Sequence, residues 1–151
     1  MSNQSSVIKL LNDLIETCKD GEYGFRISGD QTKSAELKSM LQQRAADCAA
    51  AAAQLQDQVF ALGGSPDTGG SIGGALHRGW VSVKTTLTGF DDLAVMEECE
   101  RGEDSALASY RDALKDELPP PIRGLVEQQY EGVKRNHQIV RDKRDALKRT
   151  T

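Results

Sequence analysis

The chain has 151 residues, of which 38% are hydrophobic and 28% charged, and its formal net charge is −4. This length suffices for one domain with a sizeable core, and the composition is typical of a globular protein rather than a disordered or membrane-spanning one. The negative charge argues against nonspecific binding to nucleic acid or anionic lipid, and the lack of a signal pattern or of an apolar run near about 18 residues predicts a cytoplasmic protein.

The first predicted helix begins at Ser5, a typical N-cap residue, and extends to about residue 29. Its apolar stripe keeps heptad spacing and consists of Val7, Leu11, Leu14, Cys18, Gly21 and Phe25. Glycine weakens a helix without necessarily ending it. The pattern therefore favours one long helix but leaves open whether that helix is continuous through Gly21.

A second helix is predicted over residues 34–62, with Gly63 and Gly64 as its stop signal. Its apolar face consists of Leu37, Leu41, Cys48, Leu55, Val59 and Leu62. Arg44 continues this stripe, which directs the stem of its side chain inward. The middle of the helix, residues 49–53, is all alanine, a smooth surface that permits close packing or leaves room for bulky neighbours.

Residues 63–90 determine the predicted topology. They open with the glycine-rich GGSPDTGGSIGG and continue as a short helix over 75–86. The apolar side chains of this connection would lie on the bundle, namely Leu76, Trp80, Val83 and Leu87. If this piece extended the following helix, that helix would be about 60 Å long, whereas its neighbours are each about 40 Å. We therefore predict a crossover helix within a long second connection, as in ferritin-like folds.

A third helix is predicted over 91–116, capped by Asp91 or Asp92, and a fourth over 119–148, beginning in a run of three prolines. The inward stripe of the fourth consists of Ile122, Val126, Gln129, Val133, His137, Val140, Arg144 and Leu147. No segment shows the alternation of a strand. The sequence thus predicts an all-α protein with a single domain, 1–151, built as a four-helix bundle.

Four stretches, in this order and spacing, resemble an uncharacterised bacterial ferritin-like four-helix-bundle family: LNDLIETCKDGEYGF, GSIGGALHRGW, EECERGEDSALASY and LPPPIRGLVEQQYEGVKRNH. The resemblance covers essentially the whole chain and implies the ferritin-like fold, but no activity, because the family is a domain of unknown function. The wider superfamily implies a di-iron centre with two Glu-x-x-His motifs. This chain contains no Glu-x-x-His, so that iron chemistry does not carry over.

Two carboxylates interrupt the apolar stripe of the third helix. That stripe consists of Leu93, Met96, Leu107, Tyr110 and Leu114, and its two remaining positions are Glu100 and Glu103. Burying an ionised carboxylate is costly unless a cation, hydrogen bonds or a metal compensates. A rise of about 1.5 Å per residue places Glu22 and His137 at nearly the same height in the bundle as Glu100, with Arg44 and Asp47 at that level on the second helix.

The preferred interpretation of this polar core is a structural ion-pair network. Arg44 and Arg101 would pair with the carboxylates of Glu22, Glu100 and Glu103, and His137 would fill a hydrogen-bonding place. The protein would then be non-enzymatic and act through association, as a homodimer or with a protein partner. Apolar side chains off the main stripes would form the association face, namely Tyr23, Ile27 and Val95.

The alternative interpretation is a site for iron, manganese or zinc in a metal-binding oxidoreductase or a metal-storage relative. Its ligands would be Glu22, Glu100, Glu103 and His137, since three carboxylates and one imidazole suit such ions. His77, in the glycine-rich connection, is expected at the surface. No phosphate-binding motif and no nucleophile motif is present, and the cysteines Cys18, Cys48 and Cys99 are expected to be buried core thiols.

Overall fold

The structure is a computed structural model that describes residues 4–67 and 91–150. These residues form four helices, α1 (Gln4–Gln31), α2 (Ala35–Ala61), α3 (Asp92–Ala113) and α4 (Pro120–Arg149), and the described ranges contain no strand. The predicted all-α four-helix architecture is confirmed. The predicted crossover helix and its residues, including His77 and Trp80, lie outside the described residues.

Helix α1 is continuous through Gly21 and buries its predicted stripe from end to end. A Cβ atom added at Gly21 would lie 3.1 Å from Cys48 Sγ. The glycine therefore allows close approach of α1 to α2 and does not end the helix. The predicted N-cap at Ser5 is wrong, because α1 already includes Gln4 and Ser5 lies within its first turn.

The predicted boundary signals of α2 and α3 are present in the structure. Ser34 caps α2 by accepting a hydrogen bond from the backbone N–H of Leu37 at 3.2 Å. Gly63 follows this helix with a φ of +83°, a left-handed conformation that favours glycine. Asp91 caps α3 and accepts from the backbone N–H of Ala94 at 2.8 Å.

Contacts between helix ends establish the directions of the helices. Gln4, at the start of α1, donates to the carbonyl of Leu62 just beyond the end of α2, so these two helices are antiparallel. Asp92, at the start of α3, accepts from the backbone N–H groups of Lys33 at 2.8 Å and Ser34 at 3.2 Å, just before α2. Helices α2 and α3 therefore begin at the same end of the bundle and run parallel, which requires a long connection between them.

The core consists of two apolar clusters with a polar level between them. One cluster surrounds the starts of α1 and α4 and includes Leu11, Leu55 and Val126. The other surrounds the starts of α2 and α3 and includes Phe25 and Met96. The polar level between these clusters contains the buried carboxylates of Asp20, Glu100 and Glu103. Within the described ranges, no helix has the length and apolar character needed to cross a bilayer.

We expect Asp92→Ala to lower the free energy of unfolding by about 1 to 3 kcal/mol, because two backbone N–H groups at the start of α2 lose their acceptor. The matched control is Asp91→Ala, which removes only the cap within α3 and should cost about 1 kcal/mol. Urea denaturation followed by circular dichroism measures both. A smaller loss for Asp92→Ala than for Asp91→Ala would contradict this role in joining the helix ends.

Candidate functional site

Glu103 lies at the centre of the bundle and is 1% exposed. Its Oε2 accepts a hydrogen bond from Asn136 Nδ2 at 2.9 Å, and its Oε1 lies 3.4 Å from Arg44 Nη2. Burial raises the pKa of Glu103, an effect that the charge of Arg44 and the bond from Asn136 oppose. One carboxylate thus joins α2, α3 and α4 in what we call the Glu103 network, which consists of Arg44, Glu103 and Asn136.

Arg44 is held in the interior from two sides. Its guanidinium lies over the ring of Phe25, with 5.6 Å from Cζ to the ring centroid, and its side chain is only 12% exposed. The predicted inward arginine and its pairing with Glu103 are confirmed. Among the described residues, none accepts a hydrogen bond from the buried Nε of Arg44.

Glu100 is also buried, but its partners are not those predicted. Arg141 Nε lies 3.4 Å from its Oε2, and Arg144 Nη1 donates to its Oε1. Both arginines belong to α4, and Arg144 occupies a position of the predicted inward stripe. The expectation that Arg44 pairs with Glu100 is therefore wrong, because the guanidiniums of α4 reach this carboxylate instead.

The remaining members of the predicted network lie apart from Glu103. Glu22 is paired within α1, with Arg26 at 2.5 Å and Lys19 at 3.6 Å. Arg101 pairs with Glu98 of its own helix α3. The prediction that Arg101 pairs with the stripe carboxylates is wrong, because the two partners follow each other at i, i+3 on the same helix surface.

His137 lies between α3 and α4, where its Nε2 is 2.6 Å from Oδ1 of the exposed Asp104. The four residues predicted as metal ligands are therefore not brought into one group: Glu22 has partners on α1, Glu100 is covered by α4, Glu103 is central and His137 faces Asp104. Within residues 4–67 and 91–150, no cluster of three or more histidine, cysteine or carboxylate side chains is arranged to hold a metal ion.

The sequence interpretation missed two residues of the polar level. Asn136 follows Val133 by three residues on the buried side of α4, a spacing that could have shown that it faces the core. Asp20 is 1% exposed and lies three residues after the buried Thr17 on α1. Asp20 and Thr17 therefore lie on a buried side of α1 that is separate from the predicted heptad stripe. The stripe alone does not include this position.

A cavity of about 400 Å³ lies beside the Glu103 network between α2 and α4. Ala50 and Ala51 form part of its wall, whereas Ala52 of the same alanine run is fully buried in the apolar cluster around Leu11. Glycines on the other three helices widen the space, namely Gly21, Gly102 and Gly132. Arg135 and Gln128, both exposed side chains of α4, lie at its rim.

A second polar network closes one wall of this cavity. The hydroxyl of Tyr110 donates to Gln129 Oε1 at 2.7 Å and lies 3.2 Å from Cys18 Sγ. The amide nitrogen of Gln129 in turn donates to the carbonyl of Ala51 at 3.2 Å and to Gln54 Oε1 at 3.0 Å. The polar atoms of Tyr110 and Gln129 are therefore bonded to protein partners from all four helices.

The three cysteines are buried and free, as the sequence predicts. Burial raises the pKa of the Cys18 thiol to about 11 and that of Cys99 to about 12, and it raises the pKa of Cys48 as well. At neutral pH all three are neutral thiols, and the thiolate is the reactive form.

We expect no thiol of the folded protein to react with Ellman's reagent at pH 8, because burial both blocks access and keeps the sulfur protonated. In denaturant, all three thiols should react. The absorbance of released thionitrobenzoate measures the number of labelled thiols. Rapid labelling of any cysteine in the folded protein would contradict the burial described above.

Comparisons with known proteins place the chain in a family. A family model described as a domain of unknown function, DUF2383, matches residues 6–116. Among solved structures, a mutant of Mycobacterium smegmatis Dps1 aligns with a TM-score of 0.77 and 14% identity, covering 95% of this chain and 99% of that chain. A search of curated proteins finds no match.

A second solved structure is the DPS protein from Vibrio cholerae O1, described as a member of a broad superfamily of ferritin-like diiron-carboxylate proteins. It aligns with a TM-score of 0.73 and 16% identity, covering 92% of this chain and 89% of that chain. At these identities the likeness shows the fold alone, which agrees with the helix directions above. The chain has the ferritin-like four-helix fold and belongs to the DUF2383 family of domains of unknown function.

Proposed function

We propose that this protein is a non-enzymatic ferritin-like bundle that acts through association with a second copy or a protein partner, and that its buried carboxylates are structural. In this proposal residues 1–151 form one domain, and the protein is located in the cytoplasm. The observation that carries it is the pairing of Glu103 with Arg44 at the centre of the bundle. A fixed guanidinium beside this carboxylate repels a divalent cation at the same place.

The partners of Glu100 support the same role. Both of its oxygens face arginines of α4, so the charge of this buried carboxylate is compensated within the protein. Each pair also joins different helices: Arg44 and Glu103 connect α2 to α3, while Glu100 connects α3 to α4. Carboxylates with such partners fix the helices in register at the polar level between the two apolar clusters.

The predicted association face needs a correction. Val95 is 2% exposed and belongs to the core cluster around Phe25, and the half-buried Tyr23 and Ile27 pack against that cluster. Within the described ranges, the large apolar side chains that remain exposed are Phe60, at 76%, and Ile139, at 45%. We propose that association uses one of these two positions.

Sedimentation equilibrium of the wild type, Phe60→Ser and Ile139→Ser tests this association. We expect the wild type to self-associate, and one of the two serine variants to shift the population toward monomer while keeping its helical content. Both changes replace exposed residues, so neither should alter folding by more than about 0.5 kcal/mol. A wild type that is monomeric at every concentration would contradict self-association.

Metal binding is the second candidate function. It is supported by the likeness to the Vibrio cholerae protein, whose description names diiron-carboxylate relatives. The proposed ligands for iron, manganese or zinc are Glu22, Glu100, Glu103 and His137, in a metal-dependent oxidoreductase or a metal-storage protein. In the described structure these residues do not converge, so binding would require Glu100 and Glu103 to leave their arginine partners.

Elemental analysis of protein purified without a histidine tag separates the two candidates. We expect far less than one equivalent of metal, both as purified and after incubation with Fe(II), Mn(II) or Zn(II) and desalting. Stoichiometric metal that is lost in Glu100→Gln and in His137→Gln, but kept in the exposed control Glu117→Gln, would overturn the structural role and establish the metal site.

A further inference from the structure

We propose that Cys18 and Cys48 bind a soft monovalent metal ion, Cu(I), at the wall of the cavity between α2 and α4. Cys18 lies on α1 and Cys48 on α2, and both side chains line this cavity. Each is 6% exposed, whereas Cys99 has no exposed surface and does not belong to the described wall. Cys18 and Cys48 are therefore the two thiols that an ion in the cavity can reach.

The two sulfur atoms lie where α1 and α2 are in close contact. A Cβ atom added at Gly21 would lie 3.1 Å from Cys48 Sγ, so this sulfur meets α1 one turn beyond Cys18. Side chains three residues apart on a helix have Cβ atoms about 5 to 6 Å apart. Two sulfurs that share one ion lie about 4 to 5 Å apart, because each metal–sulfur bond is about 2.3 Å long. Rotation of the two side chains therefore allows one ion to bridge α1 and α2.

The charges around the cavity favour the entry of a cation. The described wall carries more acidic than basic side chains, namely Asp20, Asp47, Glu103, Arg44 and Arg135. Such a wall attracts a small positive ion and repels an anion. A bare metal ion is also much smaller than the aromatic anion of Ellman's reagent. Binding of Cu(I) is therefore compatible with thiols that this reagent does not label.

Arg44 stabilises the deprotonated form of both thiols. Burial raises the pKa of each thiol, and the charge of Arg44 opposes this effect more strongly than the charge of Glu103 adds to it. On binding, each S–H bond is replaced by an S–Cu bond, two protons pass to the solvent, and the copper remains Cu(I). The guanidinium offsets the negative charge that the two thiolates bring.

Cu(I) fits this pair of thiols better than iron, manganese or zinc does. Thiolates are soft ligands that select Cu(I), and this ion accepts two of them in a near-linear arrangement. Zn(II) in structural sites takes four ligands. Within residues 4–67 and 91–150, however, no third histidine, cysteine or carboxylate is arranged with the two thiols to hold a metal ion. The copper site is therefore separate from the proposed carboxylate and histidine ligands and does not depend on them.

Competition for Cu(I) with its coloured ferrozine complex, under anaerobic and reducing conditions, tests this site. We expect metal-free wild-type protein to withdraw about one equivalent of Cu(I), and Cys18→Ala and Cys48→Ala to bind it at least about tenfold more weakly. The matched control Cys99→Ala removes a buried thiol outside the cavity and should keep the affinity within about twofold. Wild-type protein that leaves the copper with ferrozine, or equal losses in all three variants, would overturn the proposal.

X-ray absorption at the copper edge of the loaded wild type identifies the ligands without any substitution, so it does not depend on the folding of a variant. We expect two sulfur neighbours and no nitrogen or oxygen ligand. A single sulfur neighbour, or nitrogen or oxygen in the first coordination sphere, would contradict the joint binding by Cys18 and Cys48.

Discussion

Replacing Arg44 with methionine should lower the free energy of unfolding by about 3 to 5 kcal/mol. The methionine keeps much of the apolar stem that packs near Phe25, but it leaves Glu103 as a buried carboxylate without a cation. Asn136 still donates one hydrogen bond to Glu103, which is insufficient to offset the cost of burying its charge. Urea denaturation followed by circular dichroism measures the loss.

Two controls show that this loss reports a buried pair. Arg26→Met removes an arginine that is 55% exposed and paired within α1, so it should cost less than about 1 kcal/mol. Adding Glu103→Gln to Arg44→Met should recover much of the lost stability, because the second change removes the uncompensated charge. A loss below about 1 kcal/mol for Arg44→Met alone would refute the pairing.

Replacing Phe25 with alanine should lower the free energy of unfolding by about 3 to 5 kcal/mol. Phe25 has no exposed surface, is central to one apolar cluster and carries the guanidinium of Arg44 on its ring. The change therefore leaves a cavity and also removes a contact that helps to orient the arginine.

The matched control is Phe60→Ala, because Phe60 is 76% exposed near the end of α2. The free energy of unfolding of this variant should lie within about 0.5 kcal/mol of the wild-type value. The comparison is best made on protein dilute enough to exclude self-association. Similar losses for the two phenylalanine variants would mean that the cluster around Phe25 is not the core described here.

The fold could be predicted because its determinants are local in sequence. Apolar residues at three- and four-residue spacing assign one buried face to each helix, and the same spacing correctly places Glu100 and Glu103 inside. Arg44 was predicted to point inward for the same reason. Ser34 and Asp91 mark the starts of α2 and α3, and Gly63 marks the end of α2. These signals could be recognised because a capping side chain or a flexible glycine acts on the backbone within one helical turn.

The partners across helices could not be predicted in the same way. A rise per residue gives the height of a side chain in the bundle but not its direction around the helix axis, so Glu22 stands at a suitable height and yet pairs within α1. Arg141 and Arg144 pair with Glu100 only because α3 and α4 pack close enough together, and the sequence does not show that packing. The cavity likewise depends on the separation of α2 from α4, which an alanine run alone does not determine.

If the buried carboxylates are structural and bind no metal, the free energy of unfolding of metal-free protein should not change when a metal ion is added. A metal ion that binds only the folded state adds about 2.7 kcal/mol at a hundredfold excess over its Kd. We predict the same free energy of unfolding with and without excess Fe(II), Mn(II) or Zn(II). A metal-dependent increase of that size in the wild type, absent in Glu103→Gln, would show that Glu103 is a metal ligand and not a structural carboxylate.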